Sequence, residues 1–234
     1  MILVTGASQG IGYACAQALL EQTDARVVIT GRSADRLRAA RAGVPAPHGE
    51  RLQTLVCDQG VYEDVEELCD RLAAIAEPIE GAILTVGVNP SYAEGPRRIH
   101  ALGAPTIEAT VRTNCTHTLL LTTALLARFH RQRSGVLVWI GSQAGGVGPP
   151  GSGLYCATKS FLSGLARAAH NEYASRGVRV HLVHPGLVRT PRTAAVADDF
   201  AARHGVTVAE APDVARQIVA LFLRGEAASV ETNL

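Results

Sequence analysis

A chain of 234 residues, 47% hydrophobic and 18% charged with a formal net charge of +1, is long enough to bury a large core and too evenly charged for a polyanion partner or a disordered tail. Nucleic acid is set aside on that ground, and so is a membrane, because no apolar run reaches the roughly 18 to 20 residues of a spanning helix. Five cysteines without a C-x-x-C pair or metal-ligand spacing, and an N-terminus without a signal segment, predict a cytoplasmic setting and no bound metal.

Near-continuous apolar runs at 2–5, 26–30, 52–56, 81–86, 135–140 and 178–183 read as strands covered on both faces. Segments of helical period at 11–22, 34–42, 61–75, 107–131, 154–176 and 213–223 lie between and after them. The alternation predicts β-α-β units with right-handed crossovers. The expected fold is a doubly wound, Rossmann-like parallel α/β sheet with helices on both faces, in one domain over residues 1–234. Such sheets bind ligands beyond the carboxyl ends of their strands.

The first strand runs into TGASQGIG, Thr5 to Gly12. Glycines at 6, 10 and 12 allow a tight turn and the approach of a diphosphate, and the following helix offers its amides and dipole to the anion. Ser8, Gln9 and Ile11 belong to the same loop, so residues 6 and 8–12 form the expected cradle: Gly6, Ser8, Gln9, Gly10, Ile11 and Gly12. The plainer reading is a glycine-rich turn needed only for close packing. At the end of the second strand, where a carboxylate would select NAD, the chain has Gly31, Arg32 and Ser33. A guanidinium at 32 suits a 2'-phosphate and the Ser33 hydroxyl can add to it, which favours NADP(H); a solvated arginine at a helix start is the alternative.

Of the 22 basic residues only Lys159 is lysine, and it stands four residues after Tyr155 in a helical segment, so the two side chains share a face. An adjacent ammonium stabilises phenolate and is expected to lower the pKa of the tyrosine. Ser142 follows the strand at 135–140 and brings a hydroxyl to the same edge.

With these residues in place, the chain resembles the short-chain dehydrogenases/reductases over nearly its whole length. The resemblance rests on TGASQGIG, Asp58, Asn114, Ser142, the Tyr155 and Lys159 pair, and HPGLVRT from His184 to Thr190. It implies that Tyr155 is the general acid/base, that Ser142 holds the substrate oxygen, and that Lys159 binds the nicotinamide ribose. It also implies that Asn114 supports a relay water, that Asp58 faces adenine, and that Pro185, Gly186, Val188 and Thr190 line the nicotinamide. Where the family carries Asn-Asn-Ala-Gly, this chain reads Leu84, Thr85, Val86, Gly87; Gly87 is retained among the cofactor contacts, and Thr85 can replace the lost amide in part. The chain stops at VETNL, where relatives continue through a last strand.

The expected activity is an NADP(H)-dependent reduction of a carbonyl, or oxidation of a secondary alcohol, on a small-molecule substrate held by loops at about 88–103 and 187–210. The expected assembly is a homodimer or homotetramer. A largely apolar ketone or 3-oxoacyl group is the expected substrate. Alternatives are a non-catalytic NADP-binding regulator on the same fold, and an epimerase or dehydratase. Trp139 and Cys156 read as packing residues, His184 as a packed residue without chemistry, His100 as solvent-facing, and Arg97, Arg98, Arg189 and Arg192 as a solvated rim of the substrate mouth.

Overall fold

In the computed structural model, which describes residues 1–224 and 230–234, the segment Gly135–Ile140 is a strand buried at every position. Val136, Val138 and Ile140 enter one apolar cluster, while Leu137 and Trp139 enter another. That period of two, apolar on both sides, is what a strand covered by helices above and below requires.

The chain first forms β1 (Ile2–Thr5), α1 (Gly10–Gln22), β2 (Val27–Gly31), α2 (Ala34–Ala42), β3 (Leu52–Val56), α3 (Tyr62–Ala74) and β4 (Gly81–Leu84). It continues through α4 (Ser91–Glu94), α5 (Ala104–Val111), α6 (His117–Gln132), β5 (Gly135–Ile140), α7 (Ala144–Val147), α8 (Gly153–Tyr173) and β6 (Val178–His184). The last part is β7 (Leu187–Arg189), α9 (Ala197–His204), β8 (Val208–Glu210), α10 (Ala211–Leu223) and β9 (Glu231–Asn233).

Seven parallel strands lie in the order β3, β2, β1, β4, β5, β6, β9. Apolar residues of α1, α2 and α10 cover one face, and those of α3, α6 and α8 cover the other. Trp139 is a core residue, 1% exposed, and its indole N–H donates to Thr122 Oγ1 at 3.1 Å. The strand order reverses direction between β1 and β4, so the loops leaving these two strands diverge and open a cleft at their carboxyl ends.

Two departures from the sequence expectation bear on that cleft. The helix expected across 107–131 is interrupted by a π-helical turn at Arg112–Thr116, between α5 and α6. The turn carries Asn114, whose amide is bound at both ends by the Val88 backbone at 2.8 Å, a contact that explains why the wider turn is retained. The other departure is at VETNL. Instead of leaving the sheet one strand short, this segment supplies β9, with Glu231, Thr232 and Asn233 registered against Leu182, Val183 and His184.

Candidate active site

Thr85, four strands into the chain, shows how the cleft is closed at its base. Its hydroxyl donates to Thr5 O at 2.6 Å and its amide donates to Thr5 Oγ1 at 3.2 Å, so β1 and β4 are tied where the glycine loop begins. This is the partial replacement expected for the missing asparagine. The loop then has no space for larger residues. A Cβ on Gly12 would lie 2.8 Å from Thr85 Oγ1, and Gly6 adopts φ +62° with Val86 Cγ2 2.9 Å from where its Cβ would stand.

The cradle fits a dinucleotide on three counts. Gln9 precedes α1 in extended conformation with no side-chain cap and no acidic residue follows in the first turn, which leaves the helix amides to an anion. Thr190 reaches over the loop, its Cγ2 only 3.3 Å from the position of a Gly10 Cβ, so the two walls meet across the cleft. Arg32 is exposed at the end of β2 and pairs with nothing among the described residues. Ser8 packs against Gly31, 3.2 Å from where its Cβ would be, and Ile11 packs on the core. Ser33 has a structural task as well: its oxygen accepts the Arg36 amide at 3.3 Å and caps α2. Asp58 accepts the Gly60 amide at 2.9 Å and its own amide donates to Asp64 at 2.7 Å, which fixes the loop after β3.

On the far wall, the Pro185 carbonyl accepts the Gln143 amide at 3.1 Å, and the Gly186 amide donates to Leu234 O at 3.1 Å. The Val188 side chain is buried in the core and its carbonyl accepts Thr193 Oγ1 at 2.6 Å. What Val188 can offer a ligand is therefore backbone rather than side chain. Thr190 and Thr193 exchange a hydroxyl bond of 3.0 Å, which holds the turn after β7.

Ser142, Tyr155 and Lys159 converge beyond the carboxyl end of β5. The Lys159 ammonium, 4% exposed, donates to Ile140 O at 2.7 Å and lies 5.7 Å from the centre of the Tyr155 ring. Gly87 sits against it; a Cβ there would come within 2.9 Å of Nζ. Asn114 stands beside this group with its amide committed to Val88 and, at 3.0 Å, to Thr158 Oγ1. Its side chain holds the loop after β4 in place.

The expected depression of the tyrosine pKa by Lys159 is corrected by the structure. Burial of the phenol dominates and pushes it up to about 12, Tyr92 and Cys156 add to the rise, and the Ser142 hydroxyl followed by the Arg192 guanidinium pull the other way. Lys159 points its charge at the Ile140 carbonyl instead. Tyr155 is thus held protonated at neutral pH. A shallow crevice beside it is lined by Pro90, Ser91, Leu102, Gly151 and Leu154, among others, which brings the loop at 88–103 over the phenol. Ser91 Oγ and the Arg97 amide both bind Gly151 O, at 3.0 and 3.2 Å, and staple that loop to the start of α8.

A family model described as short chain dehydrogenase matches residues 1–200. The chain belongs to the short chain dehydrogenase family. Cis-4-hydroxycyclohexanecarboxylate dehydrogenase of Sinomonas cyclohexanicum is 32% identical over 97% of this chain and 90% of its own length. 3-oxoacyl-(acyl-carrier-protein) reductase FabG of Aquifex aeolicus is 26% identical over 99% of this chain and 92% of its own. Among solved structures, a short chain dehydrogenase from Burkholderia cenocepacia J2315 in complex with NADP matches with a TM-score of 0.84 at 28% identity, covering 100% of this chain and 94% of that one. A short-chain dehydrogenase from Sphingobium yanoikuyae in complex with NADPH gives 0.81 at 26% identity, covering 99% and 86%.

In this dehydrogenase two contacts around the site carry no sequence signal. His184 Nε2 lies 3.0 Å from Glu231 Oε2, and its Nδ1 lies 3.3 Å from the Ser142 carbonyl. Glu231 is bound in turn by Ser163 at 2.9 Å and Arg167 at 2.6 Å. A residue read as mere packing is therefore wedged between β9 and the serine loop.

The buried lysine of the dehydrogenase makes stability depend on pH. Burial, reinforced by Arg192 and opposed by Cys115, pulls the Lys159 ammonium down to about 8. An unfolded chain keeps its lysine near about 10.4, so between these values the unfolded state binds more protons and wild-type stability rises with pH. Relative to Lys159→Met, the wild type is expected to gain up to about 3 kcal/mol between about pH 8 and 10.5. Urea unfolding of both proteins at the two ends of that range measures it, and parallel curves would refute it.

Proposed function

We propose that this enzyme is an NADP(H)-dependent oxidoreductase acting between a carbonyl and a secondary alcohol, with ketone reduction as its working direction. The observation that carries the reading is the convergence of Ser142, Tyr155 and Lys159 beyond β5, on the sheet edge where Arg32, exposed after β2, has no partner among the described residues. The relatives named as reductase and dehydrogenase, and the similar structures solved with NADP and NADPH, support it. Cells keep NADPH largely reduced, which leans the proposal toward reduction.

Gly6, Gly10, Gly12 and the start of α1 hold the diphosphate in this reading, Arg32 takes the 2'-phosphate, and Lys159 and the Pro185 to Thr190 wall hold the nicotinamide end. The bound nicotinamide supplies or accepts the hydride. Tyr155 gives its phenolic proton to the substrate oxygen, and Ser142 donates a hydrogen bond that orients the same oxygen. Asn114 keeps the loop carrying Gly87 and Val88 in register with Lys159. The substrate lies between 88–103 and 187–210, and a largely apolar ketone or a 3-oxoacyl group is proposed for it. Exposed Ile107 and Val111 on α5 and Leu119 and Leu120 on α6 support assembly with further copies of the chain as a homodimer or homotetramer. The cytoplasmic reading rests on the five cysteines, all of them free in the structure.

NADPH consumption over a panel of ketones tests the activity, and binding without turnover would favour the regulator instead. Arg32 gives a sharper handle on the cofactor. Arg32→Ala should lower kcat/KM for NADPH by about tenfold to a hundredfold, the worth of a charge-assisted bond of about 1.5 to 3 kcal/mol, and leave NADH use nearly unchanged. A wild-type preference for NADH would refute the assignment.

A further inference from the structure

Of the four arginines expected at the substrate mouth, Arg98 is exposed, and the other three are held by the structure in different ways. Arg189 is spent on Asp198, at 2.6 and 3.1 Å, and on Glu210 at 3.0 Å, which ties α9 and β8 to β7. Arg97 pairs with Glu94 at 3.6 Å, and Glu94 also accepts from Thr106. Arg192 is different. Among the described residues no carboxylate pairs with it, and its hydrogen bond, Nη1 to Gly87 O at 2.6 Å, goes to a neutral carbonyl. Most of its five donors remain unspent.

Its position gives the unspent charge a use. The bond to Gly87 carries Arg192 from the turn after β7 across to the loop after β4, the same loop that lies against the Lys159 ammonium on its other side. The turn it leaves is held by Thr193, whose hydroxyl takes the Thr190 amide at 2.9 Å and donates to Val188 O at 2.6 Å. The guanidinium is therefore presented from a fixed base, with little ordering left to do when a ligand arrives. Its field reaches the reacting groups: it pulls the Tyr155 and Tyr92 phenols down and the Lys159 ammonium down as well. The two cations face the Gly87 loop from opposite sides, and an anion bound on the open side of Arg192 lowers the positive field felt by the buried one.

We infer that Arg192 is an oxyanion receptor in the substrate site, selecting carbonyl compounds that also carry a carboxylate. This rests on the carbonyl-reductase reading above and narrows its substrate class to oxo acids with an apolar body. Two molecules present an oxyanion at this cleft, the substrate and the dinucleotide diphosphate. The diphosphate already has the uncapped start of α1 and the glycine loop, whereas Arg97, the guanidinium that lines the crevice at the phenol, is already paired with Glu94, which leaves Arg192 as the cation free to answer a substrate carboxylate.

The test uses the full chain, NADPH, and short linear and cyclic oxo acids, each beside its own methyl ester. The wild type should favour acid over ester in kcat/KM by about tenfold to a hundredfold. In Arg192→Ala the acid-to-ester ratio should fall to near one, with the loss appearing in the KM of the acid, and Arg192→Lys should restore part of it because a point charge lacks the bidentate fork. A wild type that turns over ketones without regard to charge overturns the inference and leaves the reductase reading standing. A loss that falls equally on acid and ester together with a raised KM for NADPH also overturns it, and assigns Arg192 to the diphosphate. Absence of any NADPH-dependent turnover would remove the reductase reading itself, and the inference with it.

Discussion

Tyr155→Phe is expected to abolish measurable carbonyl reduction while NADPH binds as tightly as before. The phenol lies against the loop at 88–103, and its burial holds it protonated, with its pKa at about 12. A group in that state is a proton donor in waiting. Removing it takes away a general acid worth roughly a hundredfold to ten-thousandfold, without touching the glycine loop or Arg32. The sign of the pH dependence follows. Reduction needs the protonated form and should stay flat through neutral pH, whereas alcohol oxidation needs phenolate and should rise toward alkaline pH. Steady-state rates in both directions, with NADPH fluorescence titration of the variant, measure it. Substantial residual reduction would move the proton source to Ser142 or to solvent.

Lys159→Arg should keep the fold and the charge yet lower kcat by at least about tenfold, equivalent to roughly 1.4 kcal/mol of transition-state stabilisation. The reason is space. Nζ already fills the gap to Ile140 O at 2.7 Å, the side chain is only 4% exposed, and the backbones of Gly87 and Gly145 pack against it. A planar guanidinium is wider than an ammonium and always charged, so it overfills the site and cannot approach neutrality as a buried lysine does. Circular dichroism and kcat/KM together separate misfolding from mispositioning. Near wild-type turnover would show that position 159 needs only a positive charge.

Local geometry explains what could be read ahead of the structure. Tyr155 and Lys159 share a helix face because they are four apart, and the strands are apolar runs that need no distant partner to be recognised. The state of those same residues could not be read, because it depends on contacts from far along the chain. Burial raises the phenol, and Lys159 answers to Ile140 rather than to Tyr155. Asn114 is held by Val88 and Thr158, 26 and 44 residues away. Arg189 and Arg192 look alike in sequence, and only the placement of Asp198 and Glu210 separates a structural clamp from an unspent cation.

The pairing of β9 with β6 makes the serine loop depend on an edge strand. The match to the family model covers residues 1–200, and β9 lies beyond it. The carboxylate that braces His184 behind the serine loop is at 231, and Gln143, next to Ser142, donates to Leu234 O at 2.9 Å. β9 is the edge strand of the sheet, paired with β6 alone, so it opens more readily than the central strands and its opening releases both braces at once. Local opening of β9 therefore loosens the serine loop, while the glycine loop, tied to β4 through Thr85, keeps its place.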